Sequence, residues 1–257
     1  MYLDKIVAVV MPVCNEEGHL ELAIKRVPEF VDLIVVVDDG SSDNTWGVLS
    51  SISDTRIVRL RHHQNRGVGA ATKTGYRYCL TVAVDLIAVM DGDGQMDGSD
   101  LSALLERSVS GVGYVKGNRF LNSESVQCMP LLRYIGNRVF SWLTRRAACF
   151  GQSLDAHCGY TVIHSWALES LQLDELYDGY GFPMEMFFAV SRAGVNVGSV
   201  PVKTIYGSEV SGINPFTAVP AILFLIARNY ARRKSAMAPA GAFQRRKPEA
   251  IEYHLEA

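Results

Sequence analysis

The chain has 257 residues, 48% hydrophobic and 20% charged, which suits a globular protein with a substantial core and excludes a disordered one. Its formal charge of −2 excludes a general attraction to nucleic acid, so any polyanion has to be met locally. Five scattered cysteines, Cys14, Cys79, Cys128, Cys149 and Cys158, form no Cys-x-x-Cys pair. With no export signal at the N-terminus, they argue against a disulfide framework or zinc knuckle and lead us to expect a reducing, cytoplasmic setting.

In chain order, apolar runs at residues 6–11, 33–37, 57–60 and 86–90 predict strands, separated by helix-like segments at 18–27, 45–51 and 67–79. Strands alternating with helices imply an α/β fold with a mostly parallel central sheet flanked by helices on both faces. Three of these runs lead into acids: Pro12-Val13-Cys14-Asn15-Glu16-Glu17, Asp38-Asp39-Gly40-Ser41-Ser42-Asp43 and Asp91-Gly92-Asp93-Gly94-Gln95. Open α/β sheets bind ligands at the C-terminal ends of their strands, so three such ends predict one shared site. Two carboxylates one residue apart suit Mg²⁺ or Mn²⁺, which takes oxygen ligands from carboxylates and from substrate phosphates. Gly92 and Gly94 open the backbone to a bulky nucleotide. A ligand-free Asp-Gly turn is the plain alternative.

Beyond Lys116 the alternation loosens. Residues 131–147 read as one helix on which Leu132, Ile135, Val139 and Leu143 share a face and Tyr134, Arg138, Ser141 and Arg145 share another. The second face is either solvated or turned to an anionic acceptor. A short strand at 161–163, a Gly-rich turn at 177–183, a helix at 184–192 and a strand near 195–202 follow. Residues 216–227 are almost wholly apolar, with Pro220 placed for a helix start, and Arg228, Arg232, Arg233 and Lys234 come next. Twelve such residues are too few to span a bilayer, which takes roughly 20. An apolar helix with a basic flank, extended by Arg245, Arg246 and Lys247, suits a membrane surface; docking on the protein's own core or in a homodimer is the alternative.

The three acidic segments, together with Asn65-Arg66-Gly67-Val68-Gly69-Ala70, closely resemble the inverting family 2 glycosyltransferases of the GT-A fold. Further matches at Gly117-Asn118-Arg119-Phe120, Asp155 with Cys158-Gly159-Tyr160, the run from Gly179 to Glu185, and residues 206–213 resemble the polyprenyl-phosphate sugar transferases, including dolichol-phosphate mannose synthases. The resemblance runs to about residue 213 and implies a catalytic domain over residues 1–213; the change of composition beyond it leads us to expect an apolar and basic helix at 214–235 and a tail at 236–257. It implies that Pro12, Cys14, Glu16 and Asp39, supported by Val37, line the nucleotide, and that Asp91, Asp93 and Gln95 form the metal motif beside Gly92. Arg119 would face the donor diphosphate. Two departures stand out: Cys14 occupies a position that is often aromatic, and Pro183 one where many members carry an acid before Met184 and Glu185.

The expected chemistry is in-line displacement at the anomeric carbon of a nucleotide-sugar donor by a lipid phosphate, with the leaving diphosphate neutralised by the cation and Arg119. A phosphate acceptor is largely ionised at neutral pH and needs no strong base. A sugar hydroxyl would need one, with Glu185 or Asp155 as the candidate. Arg133, Arg138, Arg145 and Lys203 are candidate grips for the acceptor phosphate.

Rival readings are weaker. A transferase extending a polysaccharide would share the donor half. A nucleotidyltransferase would need a lysine-containing, glycine-rich opening segment. Gly67-Val68-Gly69 lacks the third glycine of a dinucleotide site, and no P-loop occurs. Met96 and Ser102 spoil an EF-hand. His62 and His63 are expected to be loop histidines, and His157 a structural one. A surface protein that binds nucleotide-sugars without transfer is the non-catalytic alternative.

Overall fold

In the computed structural model, residues 2–148, 150–151, 154–205 and 215–236 are described. Residues 206–213, the basic Arg245, Arg246 and Lys247, Cys149 and the 237–257 tail lie outside them, as do the side chains of Phe216 and Lys234.

The first half alternates as its pattern predicts: β1 (Val7–Val13), α1 (Leu20–Lys25), β2 (Leu33–Asp38), α2 (Thr45–Ser51), β3 (Ile57–Arg61), α3 (Val68–Thr81) and β4 (Leu86–Val89). Then come α4 (Leu101–Val109), β5 (Tyr114–Asn118), α5 (Ser123–Cys128), α6 (Leu131–Ala148), β6 (Thr161–His164), α7 (Ser165–Glu169), α8 (Phe182–Arg192), β7 (Val197–Pro201) and α9 (Pro215–Ala236). The seven strands form one sheet in the order β3-β2-β1-β4-β6-β5-β7. All pairings are parallel except those of β6, which runs antiparallel to both β4 and β5.

Every residue of β1 is buried, and alternate side chains enter opposite layers. Val7, Val9 and Met11 pack with Leu20 and Ile24 of α1 and Leu101 and Leu104 of α4. Ala8 and Val10 pack with Ala71 and Tyr76 of α3 and Met186 of α8. This two-sided burial explains why the strands read as continuous apolar runs. Gly75 of α3 is small for the same reason, because a Cβ there would stand 2.3 Å from Val10 Cγ1.

Register brings the strand ends level. Val13 pairs with Asp38 and Val10 with Val89, while Gly92 N–H donates to the Pro12 carbonyl. Because β6 is reversed, β5 runs with β4 and delivers Asn118 and Arg119 to the same edge.

The expectation for α6 is overturned. Leu132 is 87% exposed, Ile135 and Val139 are each 49% exposed, and Leu143 is half-buried, whereas Ser141, Thr144, Ala147 and Ala148 face inward. The reason is close approach: Ser141 Oγ accepts a 3.0 Å bond from Ala156 N–H, and the two alanines join a cluster with Met184, Phe187 and Leu225. The apolar stripe is therefore the outer one. Pro220 is also placed differently, inside α9 and not at its start. The inner side of α9 carries Leu225 and Asn229, and Val219, Leu223, Phe224 and Tyr230 are exposed.

Candidate active site

The loops after β1 and β2 are laced together by side chains meeting backbone. Asn15 adopts φ 58°, and its Oδ1 accepts from Ser42 N–H at 2.8 Å while its own N–H donates to Ser41 Oγ at 2.9 Å. Glu16 N–H donates to Thr45 Oγ1 at 2.8 Å. Such mutual capping fixes two loops that would otherwise carry unsatisfied backbone groups. Pro12 and Val37 are buried in the strands beneath, and Cys14 is half-buried, accepting from Asn65 Nδ2 at 3.1 Å.

Asp39 is almost fully buried and already engaged: Oδ1 accepts from Arg66 N–H at 3.0 Å, Oδ2 from Gly67 N–H at 2.7 Å, and His62 Nδ1 lies 2.6 Å from Oδ1. It shapes the 65–67 loop beside any nucleotide. His62 lies in the loop between β3 and α3, as expected, but it is buried there and its Nε2 lies 2.9 Å from Thr74 Oγ1 of α3.

At the end of β4 the acids lie within electrostatic reach of one another. Burial, then the charges of Asp93 and Glu16, push the Asp91 carboxyl up to about 7, while Arg119 and Lys116 pull the other way. Burial, partly offset by the His19 hydrogen bond, also raises Glu16, and Asp93 adds to the rise. Asp93 Oδ1 accepts from Gln95 N–H at 2.9 Å, which folds the motif over itself. Gly159 admits this arrangement, because a Cβ there would stand 2.9 Å from Asp91 Oδ2.

Opposite the acids, Arg119 and Asp155 form a buried two-pronged pair, Nε to Oδ2 at 2.6 Å and Nη2 to Oδ1 at 3.0 Å. Although burial opposes it, Arg119 holds Asp155 below the usual carboxylate range. Arg119 is thus a fixed positive charge. Lys116, fully buried, donates to the Cys158 carbonyl, and burial lowers its pKa to about 8. The sequence reading missed it, although a lysine inside an otherwise apolar strand was a visible signal.

Glu185 is not brought to this edge group. It is fully buried, and both its oxygens are taken by α9, Oε2 by Arg228 and Oε1 by Asn229. Pro183 opens α8 within the first helical turn, where its missing N–H costs little. Of the acceptor-side cations, Arg138 lies over the rings of Phe120 and Tyr134, 5.3 and 5.9 Å from their centroids, and Lys203 is 2.7 Å from Glu124. Arg145 borders an open groove of about 830 Å³ between α6 and α9, lined also by Leu143, Phe150, Leu223, Ile226 and Tyr230. Its Nε is buried without a hydrogen-bond partner. His157 is held near 4 by burial and packs edge-on against Phe140.

The donor set fits a divalent cation bound together with a phosphorylated ligand. Among the described residues no three His, Cys, Asp or Glu side chains converge as a ready-made cage. One or two carboxylates completed by substrate phosphates is the usual Mg²⁺ arrangement. Formally, Glu16, Asp91, Asp93 and Asp155 carry two more negative charges than Arg119 and Lys116 neutralise.

Known proteins resemble this chain in sequence and in fold. A UDP-N-acetylglucosamine–dolichyl-phosphate N-acetylglucosaminyltransferase of Methanococcus voltae is 27% identical over 219 residues, covering 79% of this chain and 87% of the relative. An undecaprenyl-phosphate mannosyltransferase of Micrococcus luteus is 29% identical over 204 residues, covering 76% and 82%. The glucosyl-3-phosphoglycerate synthase of Mycobacterium tuberculosis, crystallised with UDP, superposes with a TM-score of 0.63 at 17% identity over 89% of this chain and 81% of that one. The same enzyme with Mn²⁺, UDP and glucosyl-3-phosphoglycerate gives a TM-score of 0.60 at 18% identity over 90% and 80%. At such identity the likeness shows the fold, which is of the GT-A type. Residues 8–171 match glycosyl transferase family 2, and the chain belongs to that family of glycosyltransferases.

Proposed function

We propose that the protein is a metal-dependent, inverting glycosyltransferase that moves a sugar from a nucleotide-sugar to a polyprenyl phosphate at a membrane surface. The carrying observation is the pairing, at the β4 and β5 ends, of a half-buried acidic group with the fixed Arg119 charge. The names of the Methanococcus and Micrococcus relatives, both acting on lipid phosphates, support this acceptor class.

In this reading Asp91 and Asp93, with Gln95 beside them, hold Mg²⁺ or Mn²⁺ against the donor diphosphate, and the cation supplies charge neutralisation to the leaving group. Pro12, Val37, Gly92, Cys14, Glu16 and Asp39 frame the nucleotide. Arg119, locked by Asp155, meets the diphosphate charge that grows as the anomeric carbon–oxygen bond breaks. The acceptor phosphate oxygen attacks that carbon from the opposite side, forming the new glycosidic bond with inverted configuration. No proton has to be removed. Asp155 and Glu185, the two candidate bases, are both committed to cations, which favours an ionised phosphate over a sugar hydroxyl.

The catalytic domain covers residues 1–213, and the following segment, 214–235, which contains most of α9, joins it to a membrane. No described helix is long and apolar enough to cross a membrane. The outer stripe of α6 and the exposed residues of α9, bordered by Arg133, Arg145 and Arg146, fit peripheral attachment at the cytoplasmic face. Labelled nucleotide-sugars offered with polyprenyl phosphate in vesicles or with soluble oligosaccharide test the acceptor. Labelled lipid, lost on chelation of divalent cations, is the expected product. Label in oligosaccharide alone would move the assignment to the polysaccharide rival, and cation-dependent donor binding with no product would mark a non-catalytic binder.

A further inference from the structure

Residues 177–181, leading into α8, are clamped on both sides. The Asp178 carbonyl accepts from Gly69 N–H at 2.6 Å and Ala70 N–H at 3.3 Å, capping the first turn of α3. Lys73 Nζ lies 2.6 Å from Asp178 Oδ1 and donates to the Leu176 carbonyl at 3.0 Å. A Cβ on Gly67 would stand 2.4 Å from the Asp178 oxygen and 3.4 Å from Gly179 Cα. On the other side a Cβ on Gly181 would stand 2.4 Å from Leu225 Cδ1 of α9. Within this pinned backbone the Tyr180 side chain is 57% exposed. An aromatic ring on a rigid support offers contact area at little cost in lost freedom.

Its position is specific. Gly67, which abuts Gly179, belongs to the loop whose Asn65 donates to Cys14 Sγ and whose own N–H donates to Asp39. Tyr180 therefore stands across that loop from the ends of β1 and β2. Partial burial raises its phenol pKa, and Cys14, Glu16 and Asp91 add to the rise, so all three lie within its electrostatic reach. Among the described residues no ion pair holds the ring in place, and half-buried Cys14 and exposed Asn65, on the far side of that loop, are uncharged side chains.

We propose that Tyr180 is a nucleotide-positioning residue whose ring packs against the face of the donor's nucleobase, across from Cys14 and Asn65. This rests on the reading of the site as one for a nucleotide-sugar. Stacking accepts any base, because every base has a π face. Tyr180 accordingly fixes where the base lies without selecting uracil or guanine.

Calorimetric titration of the full chain with UDP, GDP and inorganic pyrophosphate, each with Mn²⁺, tests this. Tyr180→Ala should weaken UDP and GDP by about tenfold and leave pyrophosphate unchanged, with an unaltered melting temperature. Tyr180→Phe should keep the wild-type affinities. Unchanged UDP and GDP binding by Tyr180→Ala, equal losses for pyrophosphate, or a Phe variant as weak as the Ala variant would each overturn the assignment. A wild-type protein that binds none of the three overturns the nucleotide-sugar reading itself, an outcome distinct from loss in the variant alone.

Discussion

At the end of β2 the charged Asp38 and Asp39 are buried and held by backbone N–H groups, with the half-buried acids of β1 and β4 beside them, whereas along α6 apolar side chains stand outside and small or polar ones inside. At the strand ends, polarity is inside because a ligand's charge is to be met there. On α6 the inward face is set by how closely the helix must approach the 154–158 segment, and the outward face, in the reading proposed above, meets a membrane surface. Burial of a charge and exposure of an apolar stripe are thus two forms of the same departure from ordinary patterning, each marking a surface that expects a partner.

The largest effect expected is at the paired charges. Asp155→Ala removes the two-pronged carboxylate partner of the buried Arg119, a loss of about 3–5 kcal/mol in denaturant unfolding. A loss below about 1 kcal/mol would mean that the pair is solvated and the charge not fixed. Next, Asp93→Asn should cut cation-dependent turnover by about 100- to 1000-fold with little change in melting temperature. Retained turnover would remove Asp93 from the site.

On α6 the comparison predicts an inversion of the usual rule. Ser141→Leu, a gain in hydrophobicity, should cost about 1–3 kcal/mol by overpacking and by loss of the Ala156 bond. Leu132→Ser should cost less than about 0.5 kcal/mol while lowering binding to anionic vesicles. Equal destabilisation by both substitutions would show that the stripe is covered by the protein itself.

The acidic edge also predicts a pH dependence. Because the folded Asp91 carboxyl titrates near 7, well above its unfolded value, the native state holds a proton between about pH 4 and 7 that the unfolded chain has lost. Its contribution to stability is therefore complete below that window and is lost as pH rises through 7. Without divalent cations, Asp91→Asn should flatten the fall in melting temperature between pH 5 and 8; an unchanged slope would place the titration elsewhere.

How much of this was readable depends on distance along the chain. The strand ends were legible because an apolar run and the acids that follow it are neighbours in sequence, and parallel pairing then aligns them. Asp39 was legible as a site residue but not as one held by His62, a partner 23 positions away. Glu185 was read as a candidate base, and only the fold brings Arg228 and Asn229, 43 and 44 positions on, to its two oxygens. Periodicity grouped Leu132, Ile135 and Val139 of α6 on one face, but it put exposed Arg138 with buried Ser141 and carries no information on which side the 154–158 segment will cover. Pro220 was read by the rule for first turns, and α9 begins five residues earlier.

The central claim is that a half-buried acidic group at the end of β4 grips a divalent cation and, through it, a diphosphate. Titrating UDP and GDP into the wild-type protein and into Asp93→Asn, with Mn²⁺ and then with chelator, tests it most directly. The account predicts tight binding of at least one nucleotide only for wild type with Mn²⁺. Equal affinity in chelator, or in Asp93→Asn, would contradict it.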